Sequence, residues 1–191
     1  MQNEKDITTE NQFTANSDFC KDTSMWSSHD GMASEIEVSE FIYALVRLTK
    51  PEFCFESGTY KGNTTFTIGS ALNDNKYGSL VSTEVNIDYI KEAQIYCNDL
   101  PVEILHMSSL DYMPTQNIDF IFFDGLFENR IKEYNKFKEF FTEKTILVFH
   151  DTAPHKKQIL RGYEDELNLV RIHTPRGITI AQVKQPTTSG L

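Results

Sequence analysis

The feature that most constrains this chain is a repeated alternation of short apolar runs with helix-patterned segments. The runs are Phe53 to Glu56, Gly78 to Glu84, Val102 to Met107, Ile118 to Asp124 and Thr145 to Phe149. The last two are almost continuously apolar, as strands covered on both faces must be. Ahead of them, Ser34 and Glu37 make an S-x-x-E capping box, and Val38, Phe41, Ile42, Leu45 and Leu48 recur at helical spacing until Lys50-Pro51. Further helices are predicted over Asn63 to Leu72, over Ile87 to Cys97, over Asn129 to Phe141 with Ile131, Tyr134, Phe137 and Phe141 on one side, and near Lys156 to Glu166. At the end, Leu169 to His173 and Ile178 to Val183 flank Thr174-Pro175-Arg176-Gly177, which is hairpin chemistry. This order specifies an α/β fold: a Rossmann-like doubly wound sheet, mostly parallel, with a C-terminal antiparallel hairpin. In such sheets ligands bind outside the carboxyl ends of the strands, at a topological switch point.

A chain of 191 residues suits one domain, and we expect a flexible arm over 1–24, a single domain over 25–184 and a tail over 185–191. Against 28 acidic residues stand 18 Lys and Arg, for a formal net charge of −10. A field of that sign repels phosphate backbones and anionic lipid, which argues against nucleic-acid and membrane-surface functions. Cys20, Cys54 and Cys97 match no zinc or disulfide framework and read as reduced thiols. With no signal-peptide pattern and no apolar run long enough to span a bilayer, the expectation is a soluble, cytoplasmic protein.

The first strand runs into Glu56-Ser57-Gly58-Thr59-Tyr60-Lys61-Gly62-Asn63-Thr64. Two glycines permit a tight turn and close approach of a ligand to the backbone. The segment is neither a G-x-G-x-x-G fingerprint nor a P-loop. A carboxylate two residues before the first glycine would repel pyrophosphate and attract an ammonium or sulfonium, so the turn suits a cationic, amino-acid-like ligand.

Here the chain resembles the class I S-adenosylmethionine-dependent methyltransferases, whose seven-stranded sheet carries an acidic residue and a glycine turn after its first strand. Glu56-x-Gly58-Thr59-x-x-Gly62-x-Thr64 is similar to that motif, and Glu84, ending the second strand, stands where the family binds the ribose hydroxyls. Ser108-Ser109-Leu110 stands where the family contacts adenine, and Asp119 to Gly125 matches the motif lining the donor cleft. Asp124-Gly125, Phe149-His150-Asp151-Thr152 and Thr174 to Gly177 resemble a branch of small O-methyltransferases. The resemblance covers roughly residues 34–183, and it departs where Leu126-Phe127-Glu128 replaces a histidine that members often carry after Asp-Gly. It implies S-adenosylmethionine held by Glu56, Ser57, Gly58, Thr59, Tyr60, Gly62, Asn63, Thr64, Glu84, Val85, Ser108, Ser109, Leu110 and Asp124. It further implies O-methylation of a small-molecule acceptor such as a sugar, polyol or phenol, with Asp124, His150 and Asp151 on the acceptor side. A small domain with no added acceptor module suggests that part of the substrate pocket comes from the N-terminal arm or from a second subunit in a homodimer.

Each assignment has a plainer competitor. Glu84 could be solvated surface or a helix cap. Asp124 and Asp151, at the ends of adjacent strands, could share Mg²⁺ through oxygen ligands. Equally, Asp124 could order the cleft while His150-Asp151-Thr152 caps a helix. His150 is the candidate general base, because an imidazole accepts a proton near neutrality. Trp26 and His29 belong either to a lid over the cleft or to an anchor for the arm. Lys132, Lys136, Lys138 and Lys144 alternate with Glu133, Glu139 and Glu143 as a solvated helix face would. Two rival functions stay open: chemistry on S-adenosylmethionine other than methyl transfer, such as donor cleavage, and binding of the donor without turnover.

Overall fold

A computed structural model describes residues 25–153, 160 and 162–184. The expected arm and tail lie outside these residues. So does most of the helix expected near 156–166, whose described end, 162–166, is turn rather than helix. Among the described residues, four α-helices, α1 (Ile36–Thr49), α2 (Asn63–Asn75), α3 (Ile87–Tyr96) and α4 (Arg130–Phe137), surround seven strands. The strands are β1 (Phe53–Ser57), β2 (Ser79–Glu84), β3 (Val102–His106), β4 (Ile118–Phe123), β5 (Phe141–His150), β6 (Leu167–Ile172) and β7 (Ile178–Val183).

They form one sheet in the order β3-β2-β1-β4-β5-β7-β6. The first five are parallel, whereas β7 inserts antiparallel between β5 and β6. The chain reverses direction across the sheet between β1 and β4, and that switch point positions the site.

Strand alternation sorts the core into two layers. Cys54, Phe120, Phe122 and Val148 meet Val38, Ile42 and Val46 of α1 and Ile68 and Leu72 of α2 on one face. Phe53, Phe55, Ile121, Phe123, Leu147 and Phe149 meet Tyr134 and Phe137 of α4 on the other. Ile118 and Phe120 would share a face in a regular strand, yet they lie in opposite layers. The pairing with β5 shifts register between them, and the intervening Asp119 carboxylate accepts the backbone N–H groups of Glu52 and Phe53 at 2.9 and 3.0 Å. This irregularity also lets β5 begin at Phe141, four residues earlier than its apolar run suggests.

The expected capping box does not form. Glu35 occupies the N-cap position of α1 without capping through its side chain, Ser34 turns toward β4, and Glu37 accepts the N–H of Ser27 at 3.2 Å. Cys54 and Cys97 are buried free thiols. Among the described residues no helix is long and apolar enough to cross a membrane.

Candidate active site

The carboxyl ends of β1, β2, β4 and β5 open onto a cavity of about 370 Å³, within the range of small-molecule sites. Gly58 turns the chain there with φ +89°, and a Cβ on it would lie 2.8 Å from the backbone of Gly125. The turns after β1 and β4 approach this closely only because Gly58 has no side chain. Tyr60, at φ 49°, aims its N–H at the Glu84 Oε2, 2.9 Å away, while Glu84 Oε1 accepts from Val85 and Asn86 N–H at 2.8 and 2.9 Å. One carboxylate at the end of β2 therefore ties the glycine turn to the start of α3.

Gly58, Tyr60, Glu84, Val85, Ser108, Ser109 and Asp124, all expected to hold a cofactor, line this cavity. Ser57, Thr59, Gly62, Thr64 and Leu110 are not among its lining residues; Ser57 and Thr59 are instead engaged with Glu133 and Ser82. Asn63 lines a separate cavity beside α1 and α2 with His29 and Tyr43. Glu56, expected to attract a ligand cation, is not among the lining residues either. Its side chain is fully buried beneath the glycine turn, where Oε2 accepts from Thr65 and Ser82 hydroxyls at 2.5 and 2.7 Å and Oε1 has no partner. Burial, against those two hydroxyls, pushes its pKa up to about 8, so the group is mostly an uncharged acid at neutral pH.

On the acceptor side the expected pair comes together within a larger charged network. His150 is fully buried, its Nδ1 2.9 Å from Asp124 Oδ1 and its Nε2 2.8 Å from Glu35 Oε2. Burial opposes protonation of the ring, but the Asp124 charge and both hydrogen bonds raise its pKa to about 9. Carboxylates only accept, so both ring nitrogens donate and His150 is an imidazolium. It has no lone pair for an acceptor proton and does not line the cavity, which removes the geometric basis for a general base at this position. Glu35 is the reciprocal case: burial opposes its ionisation, and His150 overcomes this to hold its pKa down to about 2.

Two arginines complete the network. Arg176 grips Asp151 with Nε and Nη2 at 2.8 and 3.1 Å and donates Nη1 to Met32 and Ala33 carbonyls at 3.0 Å. Arg130, 1% exposed, places Nη2 at 3.3 Å from Asp124, 3.2 Å from Asp151 and 3.2 Å from the Gly125 carbonyl, while Nη1 donates to the His150 carbonyl. Asp151 adopts φ 59° to reach both guanidiniums. Burial opposes its ionisation, but His150 and the two arginines keep its pKa far below the carboxylate range. Glu35, Asp124 and Asp151 thus face His150, Arg130 and Arg176 in a charge-balanced cluster, as buried ions require.

Several of these residues lack a local sequence signal. Glu35 sits in the expected capping box, and Arg176 in an expected turn. Glu133, assigned from sequence to a solvated face, is 1% exposed and accepts from Ser57 Oγ at 3.1 Å and from Ser109 Oγ. It lines the cavity together with Arg130. The detectable signal was periodicity: Arg130, Glu133, Tyr134 and Phe137 follow i, i+3, i+4, i+7 and share the buried stripe of α4.

The segment ahead of α1 joins this wall. Asp30 accepts from Met32 and Ala33 N–H, from the Tyr60 hydroxyl at 3.0 Å and from Lys61 at 3.5 Å, and Met32 lines the cavity.

This sheet order, with its cavity at the β1/β4 switch point, is the class I methyltransferase fold. The methyltransferase-domain family matches residues 55–152, and the chain belongs to it. Among solved structures, the chain is similar to an O-methyltransferase from Bacillus cereus in complex with SAH, with TM-score 0.66 and 19% identity over 80% of this chain and 83% of that one. It is similar to the O-methyltransferase TomG from Streptomyces achromogenes, involved in tomaymycin synthesis and solved with SAM, with TM-score 0.66 and 18% identity over 81% and 83% of the two chains. It is also similar to the SAH-bound methyltransferase PaMTH1 of Podospora anserina, with TM-score 0.63 and 14% identity over 81% and 80%. No curated protein sequence matches the chain.

Proposed function

We propose that the chain transfers a methyl group from S-adenosylmethionine to an oxygen of a small-molecule acceptor. The observation that carries this reading is the composition of the cavity at the switch point. Its carboxylates are Glu84, Asp124, Glu133 and Asp151; Arg130 and Arg176, which also line it, pair with the two aspartates, so Glu84 is left to face a cationic or hydroxyl-bearing ligand, and Met32, Val85, Met107 and Leu126 offer apolar wall to a nucleoside part.

Bound S-adenosylmethionine supplies a methyl already activated on a sulfonium, so the protein's task is alignment and exclusion of water. Glu84, fixed by three backbone N–H groups, presents the carboxylate for ribose hydroxyls. Ser108 and Ser109 line the adenine side, with Glu133 behind them. The acceptor is placed against Asp124 and Asp151. Bound S-adenosylmethionine would give up its methyl to the acceptor oxygen and keep the carbon–sulfur electron pair, which leaves this chain's residues to take the hydroxyl proton. We assign that proton to Asp124, which lines the cavity and is oriented by His150, Arg130 and Ser34. His150 is a positioning residue in this scheme.

One observation favours a second reading, donor binding without turnover: the acidic groups of the acceptor side are already paired within the protein. Calorimetry with S-adenosylmethionine and S-adenosylhomocysteine tests the shared claim, and absence of binding by both would refute it. Methyl transfer from labelled donor to any of a panel of sugars, polyols and phenols separates the readings, since turnover supports the first and tight binding without turnover the second.

A further inference from the structure

Asp124, His150 and Asp151 bring ligand-type atoms within 4.8 Å of one another, the spacing a divalent cation would need. The space between the two carboxylates is nevertheless filled. Arg130 Nη2 lies 3.3 Å from Asp124 Oδ1 and 3.2 Å from Asp151 Oδ2, so it bridges the carboxylates. The remaining oxygens are engaged as well. Asp124 Oδ2 accepts from Ser34 at 3.0 Å, and Asp151 Oδ1 accepts from Arg176 Nε at 2.8 Å. Both ring nitrogens of His150 are already occupied, Nδ1 at 2.9 Å from Asp124 Oδ1 and Nε2 at 2.8 Å from Glu35 Oε2.

We propose that Arg130 is a resident cation in place of a divalent metal, so the site is closed to Mg²⁺ and its congeners. An ion between these carboxylates would sit against a guanidinium that cannot lose its charge, in a pocket where each oxygen already has a donor. Arg130 itself is not free to withdraw. It is 1% exposed, its Nη groups also hold the Gly125 and His150 carbonyls, and its Cζ lies 5.5 Å from the Phe127 ring centre. Arg130, with Arg176 and His150, balances the two aspartates without an exchangeable ligand.

The inference rests on the methyl-transfer reading for its meaning in catalysis, and on the ion-pair geometry for its claim about metal. In catalytic terms, Arg130 is a positioning residue that holds Asp124 at the cavity wall. Acceptor choice then does not depend on chelation, so a lone hydroxyl serves as well as a vicinal pair.

The test is a titration of the full chain with Mn²⁺, followed by the electron paramagnetic resonance signal of the free ion, beside the same titration of Arg130→Ala. The expected result is no saturable uptake by the unaltered chain and uptake of one ion by Arg130→Ala, with ethylguanidine displacing that ion. Saturable uptake by the unaltered chain that Asp151→Asn abolishes would overturn the proposal. So would failure of folded Arg130→Ala to bind, because the guanidinium would then not be what excludes the ion. Should Arg130→Ala not fold, Arg130→Gln takes its place with the same two outcomes. Calorimetry of S-adenosylmethionine on the same unaltered sample is read separately: its failure counts against the proposed function and leaves the metal result intact.

Discussion

His150 and Glu35, separated by 115 positions, meet through a 2.8 Å bond between the ring Nε2 and the carboxylate Oε2. The same carboxylate accepts from the Thr174 hydroxyl at 3.1 Å and the Arg176 N–H at 2.8 Å. It is therefore the joint between the segment ahead of α1, the end of β5 and the turn before β7. Replacing Glu35 by alanine leaves an imidazolium and a backbone N–H buried without their acceptor. We expect a loss of about 3–5 kcal/mol, as for other buried ion pairs that lose one partner. Urea unfolding of Glu35→Ala checks this, and a cost under about 1 kcal/mol would show the joint to be dispensable.

Stability should fall as pH rises from the weakly acidic range. Glu56, whose pKa burial raises from 4.5 to about 8, keeps a proton in the fold that the unfolded chain has released, so it costs stability across that interval. His150, raised from 6.5 to about 9 by Asp124 and Glu35 against burial, contributes stability that is complete below 6.5 and lost as pH passes 9. Each group adds a slope of at most about 1.4 kcal/mol per pH unit. On the other side Glu35 contributes stability that is lost as pH drops from 4.5 toward 2. Thermal unfolding across pH should show a maximum near about pH 5. A midpoint higher in alkaline than in weakly acidic buffer would contradict these assignments.

Glu56→Gln separates the two alkaline effects. The amide cannot ionise, so the decline that begins at 4.5 should disappear while the one governed by His150 remains. An unchanged pH profile would mean that Glu56 is ionised in the fold.

Glu84 serves both the turn and the proposed ribose contact. Glu84→Ala releases the N–H groups of Tyr60, Val85 and Asn86 at a partly exposed position. Hydrogen bonds to a charged group are worth about 1.5–3 kcal/mol, so affinity for S-adenosylhomocysteine should drop by about 10- to 150-fold. Calorimetry that finds unchanged affinity would remove Glu84 from the binding site.

At Gly58 the constraint is steric. Gly58→Ala puts a side chain on a residue at φ +89° and 2.8 Å from Gly125. The backbone conformation alone costs about 1–3 kcal/mol, and the clash forces the turns after β1 and β4 apart. Both the melting temperature and donor binding should fall; preserved binding would show that the turn can relax without disturbing the cavity.

The strand and helix order was legible in the sequence because it rests on local periodicity. β7 begins and ends where its apolar run does, at Ile178 and Val183, and the hairpin with β6 is antiparallel as the turn residues require. What escaped was everything decided by a distant partner. Ser34 and Glu37 have the spacing of a cap, yet Ser34 binds Asp124, 90 residues away. Glu133 alternates with lysines like a surface residue, yet β1 and the loop after β3 supply Ser57 and Ser109 to receive it. A polar residue's partner across the sheet leaves no trace in its own neighbourhood, so strand ends point to Glu84 and Asp124, the periodicity of α4 marks Arg130 only as buried, and Glu35 and Arg176 carry no local mark.

Because β7 lies between β5 and β6, the strand made last must slot into the interior of the sheet. A nascent chain halted before residue 174 exposes the flank of β5, and its Glu35 has neither Thr174 nor Arg176 to receive. Synthesis from the N-terminus therefore cannot finish this wall of the cavity until β7 has emerged. Truncation from the C-terminal end as far as β7 should abolish the cleft, however intact the first five strands remain.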